Sequence, residues 1–176
     1  LGHAVVARRF KLNISQITLF IFGGVAELKD EPPSPKAEFW VAIAGPIVSV
    51  FLALLMLFLT YVGEHLGWSV IFTGITNYLA LINTVVVAFN LIPAFPLDGG
   101  RVFRALLWWW KDNLEWATRI ASHMGAGFGL FLILMGILSF MSGNLFGGAW
   151  WVILGLFLQQ AASSSRTQYL IRHELE

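Results

Sequence analysis

Residues 39–62 have the sequence FWVAIAGPIVSVFLALLMLFLTYV, which contains no charged side chain. A helix needs about 20 apolar residues to cross the hydrocarbon core of a bilayer, so this stretch predicts a membrane-spanning helix. Residues 71–92, 120–141 and 145–162 predict three more spans. The last of these is shorter and needs flanking residues to cross the bilayer. Residues 1–12 resemble the end of another helix and begin abruptly, without an N-cap residue, so we expect a first, truncated helix there.

The composition also indicates a membrane protein. Its 176 residues are 57% hydrophobic and 12% charged, with a mean hydropathy of +0.74. Soluble domains are roughly 45–50% apolar and about 25% charged, so both a soluble domain and a disordered chain are excluded. A net charge of +1 excludes a nucleic-acid binder built on a basic surface, and the absence of cysteine excludes a disulfide framework. We therefore predict an all-α polytopic membrane protein with a bundle of about five transmembrane helices.

One segment departs from this helical pattern. Residues 17–28, ITLFIFGGVAEL, are rich in β-branched and aromatic residues and are interrupted by Gly23 and Gly24. This pattern is typical of a β-hairpin and is too short to cross the membrane as a helix. We predict a re-entrant hairpin at about 15–29, whose backbone must face protein or a water-filled cavity. The membrane core is then 1–162, followed by a cytoplasmic tail at 163–176.

The positive charges predict the orientation of the chain. All 11 Lys and Arg residues fall in three segments, namely 8–36, 101–119 and 166–172. The loops 63–70 and 142–144 between the predicted spans contain none. The positive-inside rule therefore places all three basic segments in the cytoplasm.

Residues 89–101, FNLIPAFPLDGGR, follow the second complete span on the predicted cytoplasmic side. Pro93 and Pro96 end the helix, and Asp98-Gly99-Gly100 predicts a turn. A solvated Asp98 in a plain turn would explain the pattern as well. However, the segment stays apolar on both sides of Asp98, and a carboxylate held near the bilayer is a functional candidate.

His3 is the second candidate for chemistry. It lies about nine residues from the cytoplasmic end of its helix, which corresponds to roughly 13 Å of depth. A lone histidine of this kind is often hydrogen-bonded inside a bundle, but a neutral imidazole is also the commonest metal ligand. His3 and Asp98, at similar depth, could share a zinc ion. Catalytic zinc usually has three protein ligands, so this pair is one short.

These segments together resemble the site-2 protease family of intramembrane zinc metalloproteases, peptidase family M50. Leu1-Gly2-His3 is similar to the end of the family's His-Glu-Leu-Gly-His motif, and residues 22–26 are similar to its membrane hairpin. Ala44-Gly45-Pro46 resembles the helix that follows the hairpin. Residues 89–101 match the second family signature, Asn-x-x-Pro-x-x-Pro-Leu-Asp-Gly-Gly.

The resemblance implies roles for the matching residues. His3 would be the second zinc histidine and Asp98 the third ligand, with one Zn²⁺ per chain. Asn90 would line the active site as an auxiliary catalytic residue. The residues expected to contact substrate are Gly23, Gly24, Pro93 and Pro96. The first zinc histidine and the glutamate that acts as general base are expected upstream of Leu1, so the chain by itself is expected to be inactive.

The function implied is a zinc endopeptidase that cleaves transmembrane substrates within the membrane, near the cytoplasmic face, in regulated intramembrane proteolysis. The expected partners are a transmembrane protein substrate and the lipid bilayer, with no nucleic acid, and the expected location is a prokaryotic plasma membrane. Residues 119–122, 143–148 and 161–165 resemble the branch that carries a C-terminal pair of CBS domains binding adenine nucleotides. Two alternatives stay open: a non-catalytic relative that binds membrane segments, and a small ion or proton transporter.

Overall fold

A computed structural model describes residues 2–10, 14–20, 23–28 and 32–174, with side chains for 2–10 and 32–162. Its elements are six helices and two strands within these residues: α1 (Gly2–Arg9), β1 (Ile14–Phe20), β2 (Gly23–Leu28), α2 (Pro35–His65), α3 (Val70–Asn90), α4 (Asp98–Lys111), α5 (Leu114–Met141) and α6 (Leu145–Glu174). They form two compact units, Leu1–Leu91 and Ile92–Glu176, and each unit is described by itself.

The first unit is organised around the hairpin of α2 and α3. The side chain of Ser34 caps α2 by accepting a hydrogen bond from the backbone N–H of Ala37 at 3.2 Å, and Pro35 occupies the first turn, where its missing N–H costs nothing. A short loop with Gly67 at a φ of 71° reverses the chain. The buried hydroxyls of Thr60 and Thr76 then join the two helices through a hydrogen bond of 2.7 Å.

Strands β1 and β2 pair antiparallel in this first unit, within the segment where the sequence predicts a hairpin. Gly23 pairs with Phe20, and Gly24 pairs with Leu19. Residues 21, 22 and 29 of the predicted hairpin lie outside the described residues.

Glycines bring α5 and α6 together in the second unit. A Cβ atom on Gly129 would lie 2.7 Å from the carbonyl oxygen of Gly155, and one on Gly136 would lie 2.8 Å from that of Gly148. The two helices therefore touch through their backbones, as small residues allow in membrane helix pairs. The connection turns at Gly143, with a φ of 85°, and the side chain of Asn144 accepts from the backbone N–H of Gly147 at 2.9 Å.

Four of the described helices are long and apolar enough to cross a membrane: α2, α3, α5 and residues 145–162 of α6. Large apolar side chains stay exposed on them, for example Phe51 at 64% and Phe58 at 62%, as expected of surfaces that face lipid. The protein is thus a multi-pass integral membrane protein. The first helix of the predicted bundle of about five, which was expected to be truncated, corresponds to α1, and its eight described residues are too few to count as a span.

One local expectation was wrong. Asp98-Gly99-Gly100 is not a separate turn but the first turn of α4, a helix that was not predicted. Two other polar or small residues of the spans make no contact with a second helix in the described part of the chain. Nothing lies within 4 Å of the Cβ position of Gly127 in α5, and the side chain of Asn83 donates to the carbonyl of Leu79 on its own helix at 2.8 Å.

Candidate active site

His3 lies on the face of α1 that contacts α2. Its Nδ1 is 2.7 Å from the backbone carbonyl oxygen of Val41. A carbonyl can only accept, so Nδ1 carries the proton, and in the neutral imidazole the lone pair is on Nε2. Histidines that bind metals commonly donate their other ring N–H to a backbone carbonyl in this way.

The second part of the candidate site is the loop between α3 and α4. The backbone N–H of Ala94 donates to the carbonyl of Ile92 at 2.7 Å, and that of Leu97 donates to the carbonyl of Ala94 at 2.9 Å. The Phe95–Pro96 peptide is cis, so residues 94–97 form a turn with a cis proline at its third position. This turn ends at Leu97, the N-cap of α4.

Two glycines on different helices lie against the backbone of this loop. A Cβ atom on Gly100 of α4 would collide with the backbone of Ala94 and Phe95, and one on Gly125 of α5 would collide with the carbonyl oxygen of Phe95. Ala94 and Phe95 are accordingly 2% and 8% exposed. The loop is packed on both helices at backbone distance, so its conformation is strongly restrained.

Asp98 is the first residue of α4 and is half-buried. A helix N-terminus carries a partial positive charge, which favours a carboxylate in the first turn. The guanidinium of Arg104 lies 5.1 Å from the centre of the Phe95 ring and covers the loop with a cation–π contact. The structure therefore places Asp98 on a rigid element directly after the restrained loop.

The other predicted site residues occupy distinct positions. Asn90 is the last residue of α3 and is half-buried, whereas Pro93 is exposed and Pro96 is half-buried. Gly23 and Gly24 are the first residues of β2. Leu1, quoted with His3 in the motif, lies outside the described residues.

In the part of the chain that the structure describes, no group of three or more His, Asp or Glu residues could hold a metal ion. Imidazole nitrogen and carboxylate oxygen are both zinc ligands. His3 and Asp98 therefore fit zinc by ligand type.

Some functional candidates were missed by the sequence analysis. The carbonyl of Val41 and the close approach at Gly100 carry no sequence signal of their own. Gly125, which contacts the loop, is a small residue of a predicted span, and nothing in its local sequence indicates that contact. In α5, the buried hydroxyls of Thr118 and Ser122 are 5% exposed and make no hydrogen bond with the described residues.

The model of "Peptidase family M50" matches residues 1–74 and 65–136, and thus most of the chain. This chain belongs to peptidase family M50. Two curated relatives carry the name "Putative zinc metalloprotease": sll0528 of Synechocystis sp., 39% identical over 176 residues, and Rip3 of Mycobacterium tuberculosis, 38% identical over 168 residues. The chain spans less than half of their lengths, 46% and 43% respectively, while they cover 100% and 96% of it.

A solved structure agrees with the M50 assignment. The site-2 protease from Methanocaldococcus jannaschii matches with a TM-score of 0.72 and 31% identity, over 94% of this chain and 70% of that one. The predicted membership in the site-2 protease family is confirmed.

Proposed function

We propose that this protein is an intramembrane zinc endopeptidase that cleaves transmembrane substrates near the cytoplasmic face. The observation that carries the proposal is Asp98, which is half-buried at the start of α4, directly after a proline-containing loop that two helices restrain. Membership in M50 and the names of the relatives favour a protease over the transporter alternative. The basic residues on the same side as Asp98 support a cytoplasmic position for the site.

We further propose that His3 and Asp98 are both ligands of a single zinc ion. The support is their match to the two family motifs, together with the tautomer that the carbonyl of Val41 imposes on His3. Zinc, when bound, polarises the scissile carbonyl and lowers the pKa of water. The chain's own contribution is to hold one imidazole and one carboxylate on rigid helices.

Residues around these ligands would bind the substrate. Asn90 ends α3 a few residues before the restrained loop, where its amide could hydrogen-bond to a peptide. Gly23 and Gly24 at the start of β2 would let a substrate backbone approach, and Pro93 and Pro96 would also contact the substrate. The paired strands β1 and β2 would be the re-entrant hairpin. They would also bind the substrate, because a strand edge can pair with an extended peptide.

The remaining expectations stay predictions. The location would be a prokaryotic plasma membrane. The segment 163–176 would lead to a CBS domain pair that binds adenine nucleotides. In the structure α6 continues as a helix through Glu174, so this segment is helical over its described residues.

The zinc proposal is tested with the complete protein, purified in detergent. Asp98→Asn removes the charge but keeps the size of the side chain, and Asp98→Ala removes the ligand altogether. Glu115→Gln is the matched control, because Glu115 is an exposed carboxylate in the first turn of α5. We expect about one zinc per chain and cleavage of a co-expressed transmembrane reporter in the native protein and the control, and loss of both in the two Asp98 variants.

Two results would contradict the proposal. Full reporter cleavage by Asp98→Ala would remove Asp98 from the site. A native protein that binds zinc but leaves every transmembrane reporter intact would instead favour the non-catalytic relative.

A further inference from the structure

His3 differs from the other histidines whose side chains the structure describes. His65 and His123 each place Nδ1 within 2.9 Å of the carbonyl four residues earlier on their own helix, Tyr61 and Arg119 respectively. His3 instead reaches a carbonyl on another helix, 38 residues away in sequence. Its ring orientation therefore depends on how closely α1 approaches α2.

The approach of the two helices is set by Gly2. A Cβ atom at this position would lie 2.7 Å from the carbonyl oxygen of Ala44 and 2.9 Å from Cγ2 of Val48. The first of these atoms belongs to the backbone of α2 and cannot rotate away. Any larger residue at position 2 must therefore push α1 outward from α2.

The same contact continues along α1. Ala7, one turn after His3 on the same face, is 1% exposed and packs in a cluster with Val41, which is 2% exposed. The contacts of Gly2 and Ala7 thus hold α1 against α2 on both sides of His3. Val41 takes part twice, because its side chain packs with Ala7 while its carbonyl accepts from His3.

We infer that Gly2 and the carbonyl of Val41 are positioning groups for His3: the close helix approach at Gly2 fixes neutral His3 as the Nδ1–H tautomer and makes Nε2 the metal-binding nitrogen. The inference deepens the proposed function, since it takes His3 as a zinc ligand. Partners of this kind typically change metal affinity by about 10- to 100-fold when they are lost.

The test uses the complete protein with ¹⁵N-labelled histidine, first free of metal. ¹⁵N NMR distinguishes the two neutral tautomers, and the signal of His3 is assigned by its absence in His3→Gln. We expect the Nδ1–H tautomer in the native protein and a mixture in Gly2→Ala. Gly74→Ala in α3 is the matched control, because nothing lies within 4 Å of the Cβ position there.

Zinc binding is the second measurement, by competition with a chelator. Gly2→Ala should bind zinc about 10- to 100-fold more weakly than the native protein, and Gly74→Ala should bind equally well. An Nε2–H tautomer in the native protein would overturn the inference, even if Gly2→Ala failed to fold. Native tautomer and native zinc affinity in a folded Gly2→Ala would overturn it as well.

Two variants distinguish failure of the zinc-ligand role of His3 from failure of the positioning role of Gly2. If His3 is not a zinc ligand, His3→Gln keeps its zinc while the native tautomer is still Nδ1–H. If only the positioning role is wrong, His3→Gln loses zinc while Gly2→Ala keeps it.

Discussion

Replacing Gly125 by alanine tests whether the loop before Asp98 is held by backbone contact. The new Cβ would lie 3.0 and 3.1 Å from the carbonyl carbon and the amide nitrogen of Phe95, and nearer still to its carbonyl oxygen. Ordinary carbon contacts are about 3.5–4.0 Å. The loop cannot retreat freely, because Gly100 is packed against Ala94 and Phe95 in turn.

The magnitude follows from two opposing effects. Alanine in a helix interior is favoured over glycine by about 1 kcal/mol. Overpacking a well-packed site costs about 1–3 kcal/mol. Gly127→Ala on the same helix has open space around its Cβ position and should show only the first effect. The two variants should therefore differ in the free energy of unfolding by about 1–3 kcal/mol, with Gly125→Ala the less stable.

The assay is thermal unfolding of both variants in the same detergent. For a chain of this size the difference corresponds to on the order of 2–12 °C in Tm. Reporter cleavage is measured in parallel with the complete protein carrying each substitution, and we expect it to fall in Gly125→Ala only, because the displaced loop carries Asp98 with it. A Gly125→Ala variant that unfolds at or above the temperature of Gly127→Ala would refute the reasoning.

Two further predictions concern the helices and their orientation. Thr60→Val and Thr76→Val remove the two ends of one buried hydrogen bond, so a double-mutant cycle on unfolding should give a coupling of about 0.6 kcal/mol, and zero coupling would show that the bond contributes nothing. Single cysteines at Ser34 and Lys111 should react with a membrane-impermeant thiol reagent only after the cytoplasmic face is opened, while one at His65 should react in intact spheroplasts. The chain has no cysteine of its own to interfere, and the opposite labelling pattern would reverse the topology.

Membrane spans could be predicted from the sequence because the bilayer acts on local properties. Residues 39–62 are long, apolar and uncharged, and the cost of burying unsatisfied backbone in lipid requires such a stretch to be helical. The structure extends this helix to Pro35–His65 without changing its identity. The antiparallel strands around Gly23 and Gly24 could be anticipated for a similar reason, since β-branched and aromatic runs broken by glycine favour a hairpin.

The start of α4 shows where local reasoning ends. Asp98-Gly99-Gly100 has the composition of a turn, yet it forms the first turn of a helix. Tertiary packing stabilises this helix start, because only glycine at position 100 allows α4 to contact the backbone of Ala94 and Phe95. Helix propensity disfavours glycine by about 1 kcal/mol, which such packing can offset.

For the candidate site, the sequence by itself determined which residues we propose to carry the chemistry: a histidine and an aspartate that match two family motifs in a membrane protein. Only the tertiary structure decided how they are held. The carbonyl that accepts from His3 is 38 residues away, and the glycine that contacts the loop before Asp98 is on a different helix. Such contacts depend on the distance between two backbones, which no local pattern of residues specifies, because helix association in lipid is governed by close packing rather than by hydrophobicity.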